Sequence, residues 1–168
     1  QLTEQAGYDD RAIALSYGSS QILKGMGIWQ DVAEVANPIG SIHVSDRGRF
    51  GATRLNAKQQ QVPALGYLIQ AQTYNHVVNS FLSKSDVHII QPAKIDALEV
   101  TERTQNITVA NEAGKEIIQS KLLVACDGGS SEVRNMAGVS ATTHDYQQVA
   151  IIANVTTETP HENRAFER

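Results

Sequence analysis

A chain of 168 residues is long enough to form one domain with a core, or parts of two domains. With 41% hydrophobic and 19% charged residues it is neither disordered nor fibrous, and a net charge of −4 without clustered basic residues argues against a nucleic-acid partner. No apolar run approaches the roughly 20 residues that span a membrane, and the single cysteine, Cys126, cannot close an intramolecular disulfide. We therefore expect a folded cytoplasmic protein.

The first third of the chain predicts two helices and a hairpin. Ser16 is placed to cap a helix that ends near residue 27, and a second helix is expected at 29–36, before Pro38. Residues 39–57 alternate apolar and polar side chains around a turn signal, which indicates a β-hairpin.

The remaining two thirds predict strands interleaved with helices. Three alternating runs joined by turn-like segments predict an antiparallel meander at 93–121. Residues 122–126 predict a buried strand that leads through two glycines into a helix. Further predicted elements are a strand at 65–70, a helix at 73–83, a strand at 87–90 and a strand at about 149–156. This order predicts an α/β (mixed α+β) fold with inserted β structure, in which two spatial domains share the chain.

The most informative stretch is the predicted turn after residues 122–126. A buried strand would deliver Asp127 to the carboxyl end of a sheet, where open α/β sheets bind ligands, and Gly128 would let the backbone approach a ligand. Ser130 and Ser131 would begin a helix whose N–H groups suit a pyrophosphate. The same residues also suit an ordinary strand-to-helix turn with an Asx or Ser cap. Local chemistry alone leaves both interpretations open.

Several ordered motifs resemble one family of flavoproteins. Cys126-Asp127-Gly128, followed by Ser131 and Arg134, resembles the Asp-Gly motif of the p-hydroxybenzoate-hydroxylase class of flavin monooxygenases. The segments at 10–15 and 66–69 are similar to the same class. The segments His43-Val44-Ser45-Asp46-Arg47-Gly48, 149–155 and 164–168 resemble its ubiquinone-biosynthesis branch, the FAD-dependent aromatic hydroxylases. The likeness extends along nearly the whole chain.

The resemblance implies roles for individual residues in binding FAD. Arg11 matches an arginine that neutralises the FAD pyrophosphate, a role that suits the guanidinium fork. Gln72 matches a position near the ribityl or phosphate region, and Ile95 a position that offers its backbone to the adenine. Asp127, next to Gly128, matches the aspartate that serves the flavin ribose-pyrophosphate and the reduced nicotinamide. The family uses no side-chain nucleophile, so we name no catalytic residue.

The same resemblance implies a division into two domains. A partial Rossmann-like FAD-binding domain is expected at 1–38 and 64–140, with the β-meander at 93–121 inserted in it. Part of a β-sheet substrate domain is expected at 39–63 and 141–168, and its sheet would cover the ring-binding cavity.

The activity implied by the resemblance is a hydroxylation. The enzyme would hydroxylate a polyprenylated phenol, with FAD as cofactor, NAD(P)H as reductant and O2 as the oxygen source. The resemblance also implies peripheral association with the inner membrane or formation of a homo-oligomer. A reductase or halogenase of the same fold, or a non-enzymatic binding or assembly module, are the alternatives. No pair of histidines has metal-ligand spacing, so no metal is expected.

Two departures from the family pattern limit what this chain can do alone. It contains no Gly-x-Gly-x-x-Gly phosphate loop, which Gly25-Met26-Gly27 does not replace, and no Gly-Asp segment that would cover the flavin. The chain starts at Gln1 and ends at Arg168, directly after a strand-like run. We therefore expect an internal fragment whose cofactor site is incomplete.

Overall fold

The computed structural model describes residues 11–168, which divide into two compact units. One unit comprises the described residues up to Val87 together with Ala150–Arg168, and the other comprises His88–Val149. In chain order the elements are β1 (Ala12–Ser16), α1 (Tyr17–Gly25), α2 (Trp29–Val35), β2 (Asn37–Ile39), β3 (Ser41–Ser45), β4 (Ala52–Asn56), β5 (Gly66–Gln70), α3 (Ala71–Leu82), β6 (Lys94–Val100), β7 (Gln105–Asn111), β8 (Gly114–Ser120), α4 (Glu132–Met136) and β9 (Arg164–Glu167). The described residues therefore form a mixed α/β fold, as the sequence predicts.

The core of the first unit lies between three helices and a small antiparallel sheet. Strand β5 is central in this sheet and pairs with β1 on one side and β2 on the other. The fully or nearly fully buried side chains of Leu23, Ile28, Val32 and Ile69 form one cluster, against which side chains of α3 pack. The amphipathic patterns of α1 and α3 explain this arrangement, because each helix packs apolar side chains of one side against this cluster.

Two local signals set the ends of these elements. The Ser16 hydroxyl accepts a hydrogen bond from the Ser19 N–H at 3.0 Å and caps α1, as predicted. Gly66 is required for the pairing of β5 with β1, because a Cβ there would lie 2.7 Å from the carbonyl oxygen of Leu15. Ser16 therefore fixes the start of α1, and Gly66 allows β5 to pair closely with β1.

A second sheet of the first unit has the order β4-β3-β9. Strands β3 and β4 form an antiparallel hairpin, which confirms the hairpin predicted at 39–57, and β9 pairs with β3 in parallel. The sheet therefore joins a hairpin to a strand more than 100 residues further along the chain.

The second unit is built on the predicted meander. Strands β6, β7 and β8 pair consecutively and antiparallel, with the turn between β7 and β8 at Asn111–Gly114. Ile107 and Val109 of the central strand are buried, and helix α4 packs beside the edge strand β6. The three-stranded meander is thus confirmed, with its first turn at 101–104 rather than 104–106.

Three predicted strands are wrong. Residues 87–90, 122–126 and 149–156 are not in strands, and their apolar side chains are largely exposed, with Val124 at 68% and Ile151 at 93%. A strand needs a neighbour for its backbone hydrogen bonds, and these segments have none among residues 11–168. Strands β1 and β2, which the sequence did not indicate, and β9, at the strand-like end of the chain, form because each finds such a neighbour.

The helices agree more closely with the sequence. Helix α2 ends one residue before its predicted limit, and α3 begins at Ala71, two residues earlier than expected. None of the helices within residues 11–168 has the length and apolar character needed to cross a membrane.

Candidate functional site

Asp127 lies at the turn that precedes helix α4. Gly128 has a φ of 87°, a conformation that glycine adopts without strain, and it turns the chain so that the Asp127 carboxylate faces the first turn of the helix. Asp127 Oδ1 accepts a hydrogen bond from the Ser131 hydroxyl, and Oδ2 accepts one from the Val133 N–H at 3.1 Å. The carboxylate therefore caps α4.

These hydrogen bonds favour the charged form of the carboxyl group. The Ser131 hydroxyl and then the Val133 N–H hold the pKa of Asp127 below its ordinary value, against a smaller opposing effect of desolvation. Asp127, like an ordinary aspartate, is ionised at neutral pH, and these bonds stabilise that form further. The Ser131 hydroxyl also accepts a hydrogen bond from the Arg134 N–H at 3.0 Å, which completes the cap.

The capping interpretation of this turn is thus present in the structure. The sequence suggested that the N–H groups at this helix start could bind a pyrophosphate. In the structure the Val133 N–H donates to Asp127 and the Arg134 N–H donates to Ser131. An ionised carboxylate has about four acceptor positions, however, so two internal hydrogen bonds leave capacity for a ligand hydroxyl. Capping and ligand binding by Asp127 are compatible.

A cavity of about 350 Å³ brings two of the predicted site residues together. Ile95 of the edge strand β6 and Asp127 both line it. Gly128 adjoins it in sequence. The remaining lining residues are Ala93, Lys94, Ser130, Glu132 and Val133. Its volume is at the lower end of the roughly 300–1,000 Å³ range of small-molecule sites, which suits part of a dinucleotide rather than all of it.

Arg11 and Gln72 lie together in the first compact unit. The Arg11 carbonyl accepts a hydrogen bond from the Ala71 N–H at 2.8 Å, which places the start of β1 beside the first turn of α3. Gln72 follows directly in that turn, and both Arg11 and Gln72 are exposed. The five predicted site residues therefore form two groups, one in each compact unit.

A larger cavity, which was not predicted from the sequence, lies on the sheet β4-β3-β9. It measures about 540 Å³ and is lined by Gln59 and by residues of all three strands: Ser41, Ile42, His43, Arg54, Leu55, Asn56, Arg164 and Phe166. His43 and Arg54 both lie in the predicted hairpin, and this was the one indication of the cavity that the sequence offered. The contribution of β9 could not be predicted from the sequence.

Comparisons with known proteins agree with the motifs. The family model described as an FAD binding domain matches residues 2–167. An uncharacterized protein, slr1300, of Synechocystis is 26% identical over 98% of this chain and 40% of its own length. The ubiquinone hydroxylase UbiL of Rhodospirillum rubrum is 28% identical over 96% of this chain and 37% of its own length.

A solved structure shows the same fold. The anhydrotetracycline hydroxylase OxyS of Streptomyces rimosus superposes with a TM-score of 0.63 at 20% identity, over 84% of this chain and 28% of that chain. This chain spans about two fifths of the length of the curated relatives it matches. Because the family model covers almost every residue, the chain belongs to the family of FAD binding domains.

Proposed function

We propose that this chain is part of an FAD-dependent monooxygenase that hydroxylates a polyprenylated phenol in ubiquinone biosynthesis. The family match along 2–167 and the likeness to a ubiquinone hydroxylase support the proposal. Since the chain spans 37% of that relative, the activity would belong to a longer protein. The observation that carries the proposal is the ionised Asp127 beside the Ile95 cavity, at the Asp-Gly turn.

The residues around this cavity suit part of the FAD nucleotide. The Asp127 carboxylate would accept a hydrogen bond from a ribose hydroxyl, which is the chemistry expected of an ionised acid with remaining acceptor capacity. Ile95 lies in β6, an edge strand whose outer side carries backbone groups that pair with no other strand of the sheet. Such groups would offer hydrogen bonds to an adenine. Gly128 would permit close approach of the backbone.

Arg11 and Gln72 would contact the more anionic part of the cofactor. Helix α3 has no side-chain cap at its N-terminus and no acidic residue in its first turn, so no side chain of this turn offsets the partial positive charge of that end. The backbone of Arg11 is hydrogen-bonded to this turn, and a guanidinium nearby would add a bidentate donor for a pyrophosphate. Gln72 would donate from the same turn.

The division into domains is part of the proposal. Residues 1–38 and 64–140 would belong to the FAD-binding domain, and 39–63 with 141–168 to the substrate domain. The pairing of the 39–57 hairpin with β9 in one sheet supports the grouping of the latter two segments.

In the proposed reaction, bound FAD supplies the capacity to take electrons from NAD(P)H and to activate O2. One oxygen atom enters the phenol ring and the other leaves as water, with NAD(P)H giving up two electrons. Protein groups would bind the cofactor, orient the ring and exclude water. Association with the surface of the inner membrane, where a polyprenyl chain would reside, and formation of homo-oligomers are further parts of the proposal.

Product analysis tests this function. The full-length gene product should purify with bound FAD, oxidise NAD(P)H when a polyprenylated phenol is added, and yield a product heavier by one oxygen atom that derives from O2. Labelled O2 followed by mass spectrometry detects that atom. Halogen incorporation, or NAD(P)H oxidation without oxygen insertion, would favour the halogenase or reductase alternative.

A further inference from the structure

A single residue, Gly40, separates the two sheets of the first unit. Ile39, directly before it, pairs with Gly66 in the sheet β1-β5-β2. Ser41, directly after it, pairs with Asn56 in the sheet β4-β3-β9. The backbone passes from one sheet to the other within residues 39–41, which are named the sheet joint. The orientation of one sheet against the other therefore depends on how the backbone at Gly40 is held.

Both backbone groups of Gly40 form hydrogen bonds with distant residues. Its carbonyl accepts a hydrogen bond from the Ala57 N–H at 2.9 Å, and its N–H donates to the Asn163 carbonyl at 2.8 Å. The Ser41 N–H also donates to the Asn163 carbonyl, at 3.4 Å. Asn163 comes more than 100 residues after the sheet joint, directly before β9. Its carbonyl is therefore a long-range contact that holds the sheet joint.

A tight turn directs the Asn163 carbonyl toward the sheet joint. The Arg164 N–H donates to the His161 carbonyl at 2.9 Å, which closes the turn. The two central residues, Glu162 and Asn163, have φ of 53° and 56°. Two successive positive φ values are typical of a type I′ turn. Because the Asn163 N–H also donates to His161 Nδ1 at 3.1 Å, the left-handed conformation of Asn163 is supported within the turn.

These hydrogen bonds use the backbone of Asn163. The N–H bonds to His161 and the carbonyl bonds to Gly40 and Ser41. A substitution of Asn163 would then act on the sheet joint through the preference of the new residue for a left-handed conformation. Glycine adopts this conformation freely, asparagine tolerates it, and a β-branched residue strongly disfavours it. The sheet joint should therefore be retained with glycine and loosened with valine.

We propose that Asn163 is a positioning residue that fixes the sheet β4-β3-β9 against the sheet β1-β5-β2 through the sheet joint. Its consequence for catalysis rests on the proposed function. There, the sheet β4-β3-β9 belongs to the substrate domain, and the proposed pyrophosphate contacts Arg11 and Gln72 lie next to the other sheet, at the ends of β1 and α3. The sheet joint thus sets the placement of the phenol relative to the flavin. A displacement of about 1 Å in such a placement can lower a rate on the order of 100-fold.

Hydrogen exchange of the full-length gene product tests the structural part of the inference. The Gly40 and Ser41 N–H groups should exchange when their bonds to Asn163 open, so exchange in the peptide 36–45 reports on the sheet joint. Asn163→Val should raise this exchange roughly 5- to 30-fold, which corresponds to about 1–2 kcal/mol for a disfavoured left-handed residue. Asn163→Gly should leave it unchanged. Asn163→Ala should give an intermediate value, and its comparison with Asn163→Gly decides the question if the valine variant does not fold.

Gln147→Val is the matched control. Gln147 also has a positive φ, of 52°, but it lies in the second compact unit. Valine at this position introduces the same kind of backbone strain away from the sheet joint and should leave exchange in the peptide 36–45 unchanged. Equal exchange in the valine and glycine variants of Asn163, or faster exchange of this peptide in Gln147→Val, would overturn the inference.

Product analysis of the same variants tests the positioning role. The fraction of oxidised NAD(P)H that yields hydroxylated product should fall in Asn163→Val and stay normal in Asn163→Gly, with equal FAD content in both. The remaining NAD(P)H transfers two electrons to O2, which takes up two protons and becomes hydrogen peroxide. Faster exchange at the sheet joint with an unchanged product fraction would refute the positioning role. The expected order of exchange in a protein that does not hydroxylate would preserve the sheet joint while the proposed function fails.

Discussion

The Ser131 hydroxyl donates a hydrogen bond to Oδ1 of Asp127, whose other oxygen accepts from the Val133 N–H. The residue proposed to hold a ribose hydroxyl therefore also caps a helix. Removal of Asp127 eliminates both roles, whereas removal of Ser131 weakens the cap and keeps the carboxylate. The two roles can consequently be separated by mutation.

Comparison of Asp127→Ala with Ser131→Ala in the full-length gene product distinguishes the capping role of Asp127 from its proposed role in binding FAD. Asp127→Ala should lose FAD and lower the melting temperature, because both functions disappear. Ser131→Ala should cost about 0.5–2 kcal/mol of stability, as expected for loss of an N-cap, while FAD remains bound. Flavin absorbance and thermal melting of the same samples give both quantities. Normal flavin content in Asp127→Ala would leave capping as the only role of this residue.

The pH dependence of the cap follows from the direction of the Asp127 pKa shift. A pKa lowered in the folded state means that folding favours the ionised carboxylate, so this contribution to stability is present above the ordinary value of 3.8 and is lost as the pH falls through the folded-state pKa. Ser131→Ala removes the largest cause and should raise the pKa of Asp127 toward 3.8. Carboxyl NMR titration measures the change. Ser130→Ala, beside it, should leave the Asp127 titration unaltered.

Arg11→Lys should weaken FAD binding in the full-length gene product. Lysine keeps the positive charge but lacks the planar fork that bonds two phosphate oxygens. Loss of one hydrogen bond to a charged group, about 1.5–3 kcal/mol, corresponds to roughly 10- to 150-fold in the FAD dissociation constant. Arg103→Lys, at an exposed turn of the meander, is the control and should bind FAD normally. An unchanged constant for Arg11→Lys would remove Arg11 from the proposed site.

A glycine pair tests the packing of the first sheet. Gly66→Ala should destabilise by about 1–3 kcal/mol, because its Cβ would lie 2.7 Å from the backbone oxygen of Leu15 and a strand would have to move. Gly25→Ala has open space at the end of α1 and should be neutral or stabilising by up to about 1 kcal/mol. Chemical denaturation of both variants provides the comparison. Equal stabilities would show that β1 and β5 tolerate a wider separation.

Local patterns predicted the elements whose partners are close in the chain. These elements are the Ser16 cap, the 39–57 hairpin and the 93–121 meander. The cap depends on residues of the same helix, and the hairpin and the meander depend on strands that follow one another in the chain. Periodicity and turn chemistry were therefore sufficient to predict them. Strand β1 was missed because its partner is distant, with Ala12 opposite Gln70. Residues 122–126 have the composition of a buried strand, but they form no strand because no other strand lies beside them to pair with among residues 11–168.

The candidate site was predictable to a similar extent. Asp127 could be singled out because a strand-like run, two glycines and a Ser cap are contiguous, and resemblance added Ile95, which lines the same cavity. The cavity of His43 and Arg54 also needs Phe166, which a parallel pairing brings from more than 100 residues away. Such a register cannot be derived from hydrophobic periodicity.

The 168-residue chain purified alone should be colourless and should self-associate. Leu122 and Val124 are 76% and 68% exposed, and Ile151 and Val155 are 93% and 78% exposed, in segments whose backbones join no strand among residues 11–168. Extended apolar segments with unpaired backbone groups favour pairing between chains.

The expected lack of FAD binding has a separate physical reason. Dinucleotide affinity in this fold would be distributed over five groups: the phosphate loop, a ribose-binding acid, Arg11, Asp127 and a covering helix. The 168 residues contain no Gly-x-Gly-x-x-Gly sequence for the phosphate loop. Loss of two contacts of about 1.5–3 kcal/mol each weakens binding by roughly two to four powers of ten, which takes the dissociation constant out of the micromolar range. Flavin fluorescence and light scattering, followed during one titration with FAD, measure affinity and association together. A yellow monomer with stoichiometric flavin would contradict both expectations, because it would require the described residues to form a complete cofactor site and a closed surface by themselves.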